Sequence, residues 1–164
     1  FGQMFRKLYS QPPVVYRLDQ NVRAFLVEFR GEGGEDVGGL YREGIHLICK
    51  ELQSPLLPLL VPCPNAKGDA GNNRDKWVPN SESAEALHVS MFELLGKLMG
   101  LALRTKQSLN LDLPEIVWKL LIRDRVTDLD VENIDVTAFN LAREIIDYEK
   151  WLRGDGKLLT HERE

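Results

Sequence analysis

Residues 83–105 constrain the fold more than any other stretch, because apolar side chains recur there at Leu87, Met91, Leu94, Leu95, Leu98, Met99, Ala102 and Leu103. That spacing is helical, and the second half of the stretch is apolar almost all round its circumference, so the helix belongs in the centre of a core. Its most apolar part, residues 91–103, is thirteen residues long and carries Glu93 and Lys97, too short and too charged for a bilayer span. Gly96 and Gly100 share a face and would let another backbone approach closely, each at a cost of about 1 kcal/mol relative to Ala. The expected use is a helix crossing inside a bundle rather than a membrane dimer.

The rest of the chain supplies partners for that helix. With 164 residues, 43% of them hydrophobic, there is enough to bury one core, and a single domain is expected. Phe1, Phe5 and Leu8 have helical spacing and are followed by the breaker Ser10-Gln11-Pro12-Pro13. Residues 22–30 alternate, with Phe25, Val27 and Phe29 on one face, which predicts a strand. From residue 37 to about 53 the period is helical again, through Leu40, Ile45, Ile48, Cys49 and Leu52. Leu59-Leu60-Val61 and Lys76-Trp77-Val78 read as a small hairpin around a long polar loop, residues 62–75, expected to be the most mobile segment. Leu113-Pro114 opens a helix whose buried side is Ile116, Val117, Leu120 and Leu121, with Trp118 available for packing. Val131, Ile134, Ala138, Leu141, Ile145, Tyr148 and Leu152 are spaced 3 and 4 apart in alternation, a bundle seam, carried by one helix or by two if Asp135 caps a fresh start.

Residues 30–44, RGEGGEDVGGLYREG, place six glycines and four carboxylates in fifteen positions. A phosphate loop would need a Lys and a Ser or Thr, and Glu32, Glu35 and Asp36 would repel the anion. A calcium loop would need oxygen ligands at alternate positions, and counting from Glu32 those positions fall on Gly34, Asp36 and Gly38. The remaining reading is structural: glycines permit the positive φ angles of a strand-to-helix reversal, and Asp36 caps the helix. Gly38 and Gly39 weaken the first turn, so close packing against it is expected. Arg42 and Glu43 lie beyond the cap and are expected in a buried ion pair with another segment.

Composition excludes several classes. A net charge of -4 without a basic stripe argues against a nucleic-acid partner. Cys49 shares an apolar helix face, Cys63 lies between prolines, and together with His46 and His88 they give no zinc spacing. No metal or organic cofactor is implied. Two cysteines, no N-glycosylation acceptor and no secretory leader favour a reducing, intracellular compartment. The chain starts mid-pattern at Phe1 and ends in a charged tail, and so reads as an excised piece.

The order of the motifs is more specific than any one of them. The stretch F-L-V-E-F-R-G-E-G-G-E-D-V-G-G-L-Y-R-E-G resembles the opening hallmark of HECT domains, G-E-x-G-x-D-x-G-G-x-x-R-E. P-L-L-V-P-C-P-N, W-V-P-N-S, F-E-L-L-G-K-L-M-G-L-A-L-R, L-D-L-P-E-I-V-W-K-L-L and T-D-L-D-V-E-N-I-D follow in order. The loop at residues 62–75 is most similar to the HERC-like branch, and Ser81 stands where a second proline often follows P-N. The resemblance implies an α+β, mainly α fold, the helical large subdomain of the HECT N-lobe with a small antiparallel β element, over residues 1–164. It implies a ubiquitin ligase that takes ubiquitin from an E2 conjugating enzyme onto a cysteine and passes it to a lysine of a protein substrate, E2 and ubiquitin being met through the complete HECT domain. The E2-binding subdomain and catalytic C-lobe are expected to be absent from this sequence, and no residue here matches a catalytic position. Gly31, Glu32, Asp36, Gly38, Gly39, Arg42, Glu43, Gly96, Gly100 and Trp118 are the structural signature. The rival expectation is a non-catalytic module of the same fold that binds ubiquitin or substrate.

Overall fold

Phe1 and Phe5, one turn apart, begin a series of elements that follows the sequence periodicity closely. The computed structural model describes residues 1–20, 22–29 and 39–154. In chain order these form α1 (Gly2–Leu8), a 3-10 turn (Pro13–Tyr16), α2 (Gly39–Leu52), β1 (Leu60–Pro62), α3 (Pro64–Gly68), β2 (Trp77–Pro79), α4 (Ala86–Thr105), α5 (Glu115–Ile122), α6 (Asp128–Glu132) and α7 (Val136–Leu152). The fold is α+β and mainly helical, as expected. Strands β1 and β2 pair as an antiparallel two-stranded sheet, flanked by bonds from the Cys63 N–H to Lys76 O and from the Asn80 N–H to Leu59 O. The chain divides into two compact units, Phe1–Val61 with Pro79–Asp112, and Pro62–Val78 with Leu113–Glu164.

In the first unit α4 has the central role its pattern demands. Leu94, Leu95, Leu98, Leu101, Ala102 and Thr105 are buried, and α1 and the 3-10 turn pack against the helix. By length and composition alone α4 is also apolar enough to cross a membrane. In this chain its charged residues hold protein instead. Lys97, only 11% exposed, donates to the carbonyls of Tyr9 at 3.1 Å and Gln11 at 3.2 Å and sits 5.8 Å from the centre of the Tyr16 ring. One of the two charged residues that interrupt the apolar run, Lys97, therefore fastens the N-terminal segment to α4. Substituting Lys97→Met keeps the stem and removes the donors, and is expected to cost about 1–2 kcal/mol. Hydrogen exchange should show the loss of protection confined to residues 1–16.

Gln53, just past α2, closes the same unit: its side-chain amide donates to Asn110 O at 2.9 Å and its carbonyl accepts the Asp112 N–H. Residues 22–29 do not form the expected strand. Their burial does alternate, with Phe25, Val27 and Phe29 partly covered and Leu26 and Glu28 exposed, but no strand is assigned there. The covered face rests on helix α2, where Phe25 and Tyr41 rings lie 5.0 Å apart. Period-two patterning reports one covered face, and a helix can cover it as well as a sheet can.

In the second unit two expectations are corrected. The polar loop at residues 62–75 is held in place by hydrogen bonds described below and contains α3. The seam on α7 is present as a stripe but is not buried in this chain: Leu141, Ile145, Tyr148 and Leu152 are exposed, as are Leu120 and Leu121 of α5. Periodicity fixes which residues share a face and does not say whether that face is covered. The helix break at Asp135 is observed, its carboxylate accepting the Ala138 N–H at 2.9 Å at the start of α7.

Candidate functional site

The glycines and carboxylates that dominate the sequence divide between residues inside and outside the description. Gly31, Glu32, Asp36 and Gly38 lie outside the described residues, and so does the expected cap by Asp36. Gly39 opens α2 with no described atom within 4 Å of the point where a Cβ would stand. The close approach occurs at Gly44 instead, where a Cβ would come within 3.1 Å of both Val27 methyl groups. Arg42 and Glu43 are exposed on α2, and among the described residues neither enters the buried ion pair expected for them. Gly96 and Gly100 also have no described neighbour within 4 Å. The reason is angular: at 100° per residue they point nearly opposite to the buried row Leu94, Leu98 and Leu101. Trp118 is 42% exposed, and its indole N–H donates to Leu113 O at 3.3 Å.

Neither cysteine is built as a nucleophile. Cys49 lies in the buried side of α2, and Cys63 precedes Pro64 at the start of α3 with a relative exposure of 0%. Burial pushes both thiols up from their ordinary value, and the nearby Asp75 carboxylate pushes Cys63 further the same way. A reactive thiol needs the opposite environment, exposed and electropositive.

The most organised polar site is one the sequence did not announce. Asn65 is 2% exposed and uses both ends of its side chain. Its amide donates to Asn72 O at 3.0 Å and Asn133 O at 3.1 Å, while its Oδ1 accepts the Val136 N–H at 2.8 Å. Its own backbone N–H donates to Ile134 O at 3.1 Å. One asparagine thus satisfies a carbonyl leaving α6 and an orphan N–H opening α7, groups that helix ends otherwise leave unpaired. Gly71, at φ +72°, makes room: a Cβ there would stand 2.7 Å from the Asn65 amide nitrogen.

A second clasp joins α5 to α6. Asp130, buried at the third position of α6, accepts from the Thr127 N–H and hydroxyl, each at 2.8 Å, and from Lys119 Nζ at 2.8 Å. The Lys119 ammonium first, then the Thr127 donors, hold the carboxyl at about 2 rather than its ordinary 3.8, against the opposing effect of burial. Lys119 is shifted upward by the same hydrogen bond and by Glu115. T-x-x-D before an apolar residue was the available signal for this cap. Because the folded carboxyl is depressed, its contribution is fully present above 3.8 and is lost as pH falls through about 2. An acid titration followed by NMR should therefore show the α5–α6 junction loosening in that window, and Asp130→Asn should abolish the transition.

Comparison with known proteins places these elements. Residues 46–154 match the family described as HECT-domain (ubiquitin-transferase). The chain is 42% identical over 135 residues, 82% of its length, to the E3 ubiquitin-protein ligase HERC2 of Mus musculus and of Homo sapiens. It is 30% identical over 134 residues, 81% of its length, to the E3 ubiquitin-protein ligase NEDD4 of Homo sapiens. It spans 3% of the HERC2 proteins and 10% of NEDD4. The motifs that frame both clasps, P-C-P-N around Asn65 and T-D-L-D around Asp130, fall within the matched residues. A family match across residues 46–154, with 42% identity to HERC2 over 82% of the sequence, makes this chain a member of the HECT-domain (ubiquitin-transferase) family.

Proposed function

We propose that this sequence is the non-catalytic scaffold portion of a HECT-type E3 ubiquitin transferase, a protein that accepts ubiquitin from an E2 as a cysteine thioester and transfers it to a substrate lysine. The observation that carries the reading is the family match together with the burial of both thiols, which leaves no nucleophile here for the acyl transfer that the family performs. Within such an enzyme the chain supplies helices, those of the first unit packed around α4, from which other parts of the protein are positioned. The two free cysteines suit an intracellular setting.

The test uses a longer protein that contains this sequence and the 164-residue chain by itself. Each is incubated with ubiquitin, an activating enzyme, a panel of E2 enzymes and ATP. A thiol-labile ubiquitin adduct should form on the longer protein, persist in its Cys49→Ser and Cys63→Ser variants, and be absent from the short chain. An adduct on the short chain that disappears with Cys63→Ser would sink the scaffold reading. A longer protein that holds ubiquitin but never forms the adduct would make it a binding module. E2 binding by the short chain should be no tighter than about millimolar, near about -4 kcal/mol.

A further inference from the structure

We propose that the cleft beside the α6–α7 junction binds a guanidinium group, carried by an arginine side chain of a polypeptide partner. The cleft has a volume of about 420 Å³, and its polar lining comes from Asn72, Asn73, Glu115, Asp130 and Asn133, all within the second unit. That volume falls in the range of about 300–1,000 Å³ typical of small-ligand sites.

Hydrogen-bond accounting shows what the lining has left to offer. Asn73 spends one amide N–H on Asn133 O at 3.2 Å, and its side-chain carbonyl oxygen accepts from no described residue. Asn72 and Asn133 join side chain to side chain at 2.9 Å. Whichever way round that pair is drawn, it keeps one carbonyl oxygen with both lone pairs, one whole amide group and the second N–H of the donating amide. Asp130 accepts three hydrogen bonds from Lys119 and Thr127, which occupy most of its roughly four acceptor sites. Glu115 pairs with Lys119 through Oε1 at 3.0 Å and is otherwise open to solvent. Counted as lone pairs, the free acceptors on the two carbonyl oxygens and Glu115 therefore outnumber the amide N–H groups left over.

Charge selects in the same direction. Two carboxylates, Glu115 and Asp130, line the cleft, and the single ammonium that meets them, Lys119, is shared between both. The first turn of α5 adds partial positive charge, which the full negative charge of Glu115 in that turn outweighs. An anion is disfavoured. Among cations, an ammonium is a compact, strongly hydrated point charge, whereas a guanidinium is planar, weakly hydrated and offers five donors in a fixed fork. Separated carbonyl oxygens beside an exposed carboxylate suit the fork. A free amino acid would bring its own carboxylate against Glu115 and Asp130, which favours an arginine within a polypeptide.

The experiment is an NMR titration of the isotopically labelled 164-residue chain, read at the side-chain amides of Asn72, Asn73 and Asn133. The probes are N-acetyl-arginine N-methylamide, its lysine and citrulline counterparts, and free L-arginine. The capped arginine should shift those resonances with a dissociation constant of about 1 mM. The other three should bind at least about fivefold more weakly, and Glu115→Gln should weaken the capped arginine about threefold or more while leaving the backbone spectrum of α7 unchanged. Equal shifts from citrulline would show a neutral amide site and overturn the proposal. So would equal shifts from lysine, tighter binding of free arginine, or shifts that avoid the three asparagines.

Discussion

Asn65→Ala is expected to destabilise the second unit by about 3–4 kcal/mol. The change removes a buried amide, strands the Val136 N–H and the Asn72 carbonyl, and leaves the Asn133 carbonyl with the Asn73 amide alone. An unsatisfied buried group costs about 1–3 kcal/mol, and water can enter to satisfy some of them, which keeps the sum below the full total. Asn65→Asp should be no milder, because it keeps the acceptor for Val136 and turns a negative charge toward carbonyl oxygens. Gly71→Ala approaches the same clasp from the other side, combining a φ of +72° with a Cβ placed 2.7 Å from the Asn65 amide nitrogen. Its cost should shrink in the Asn65→Ala background, where that nitrogen is gone and what persists is the backbone term of about 1–2 kcal/mol and a 3.2 Å approach to a Val136 methyl. Chemical denaturation of the four proteins of this cycle measures the coupling. Additive costs would mean that the two residues do not act as one device.

Leu94→Ala should cost a similar amount, about 3–5 kcal/mol, by a different route. Leu94 is 0% exposed on the central helix, so truncation loses the transfer energy of the removed carbons and leaves a cavity that rigid neighbours fill only in part. Leu103 lies on the same helix, is 83% exposed, and is the proper control. Leu103→Ala should change stability by less than about 0.5 kcal/mol. Measured as midpoints of thermal unfolding, the first substitution should lower the transition by roughly 6–20 °C and the second by almost nothing.

What was legible in the sequence was local. The 3.6-residue period placed α4, Asp135 announced the break before α7, and the two apolar tripeptides paired as β1 and β2. The ordered motifs opened by G-E-x-G pointed to the family without showing a site. What was not legible depended on partners remote along the chain. Asn65 sits in a polar stretch and looks like any loop asparagine, and the Val136 N–H that gives it meaning is 71 positions away. Gly44 was one glycine among many, and only the path of Val27 across α2 singles it out. Gly96 and Gly100 carried the right spacing for close packing, but spacing cannot say which side of a helix the rest of the protein occupies. The same limit explains the α7 stripe, where pattern and burial part company.

The distance between Asn65 and Val136 has a consequence during synthesis on the ribosome. At about 5–20 residues per second, the clasp has to wait roughly 4–14 s after Asn65 emerges before its partner does. In that interval residues 79–112, including α4, leave the ribosome and can settle into the first unit, while residues 62–78 stay open. The waiting stretch is rich in Asn, Asp, Lys and Gly, residues that water solvates well. A hydrophobic anchor at that point would spend the same seconds exposed to other nascent chains. An asparagine closes the unit late and stays soluble until it does.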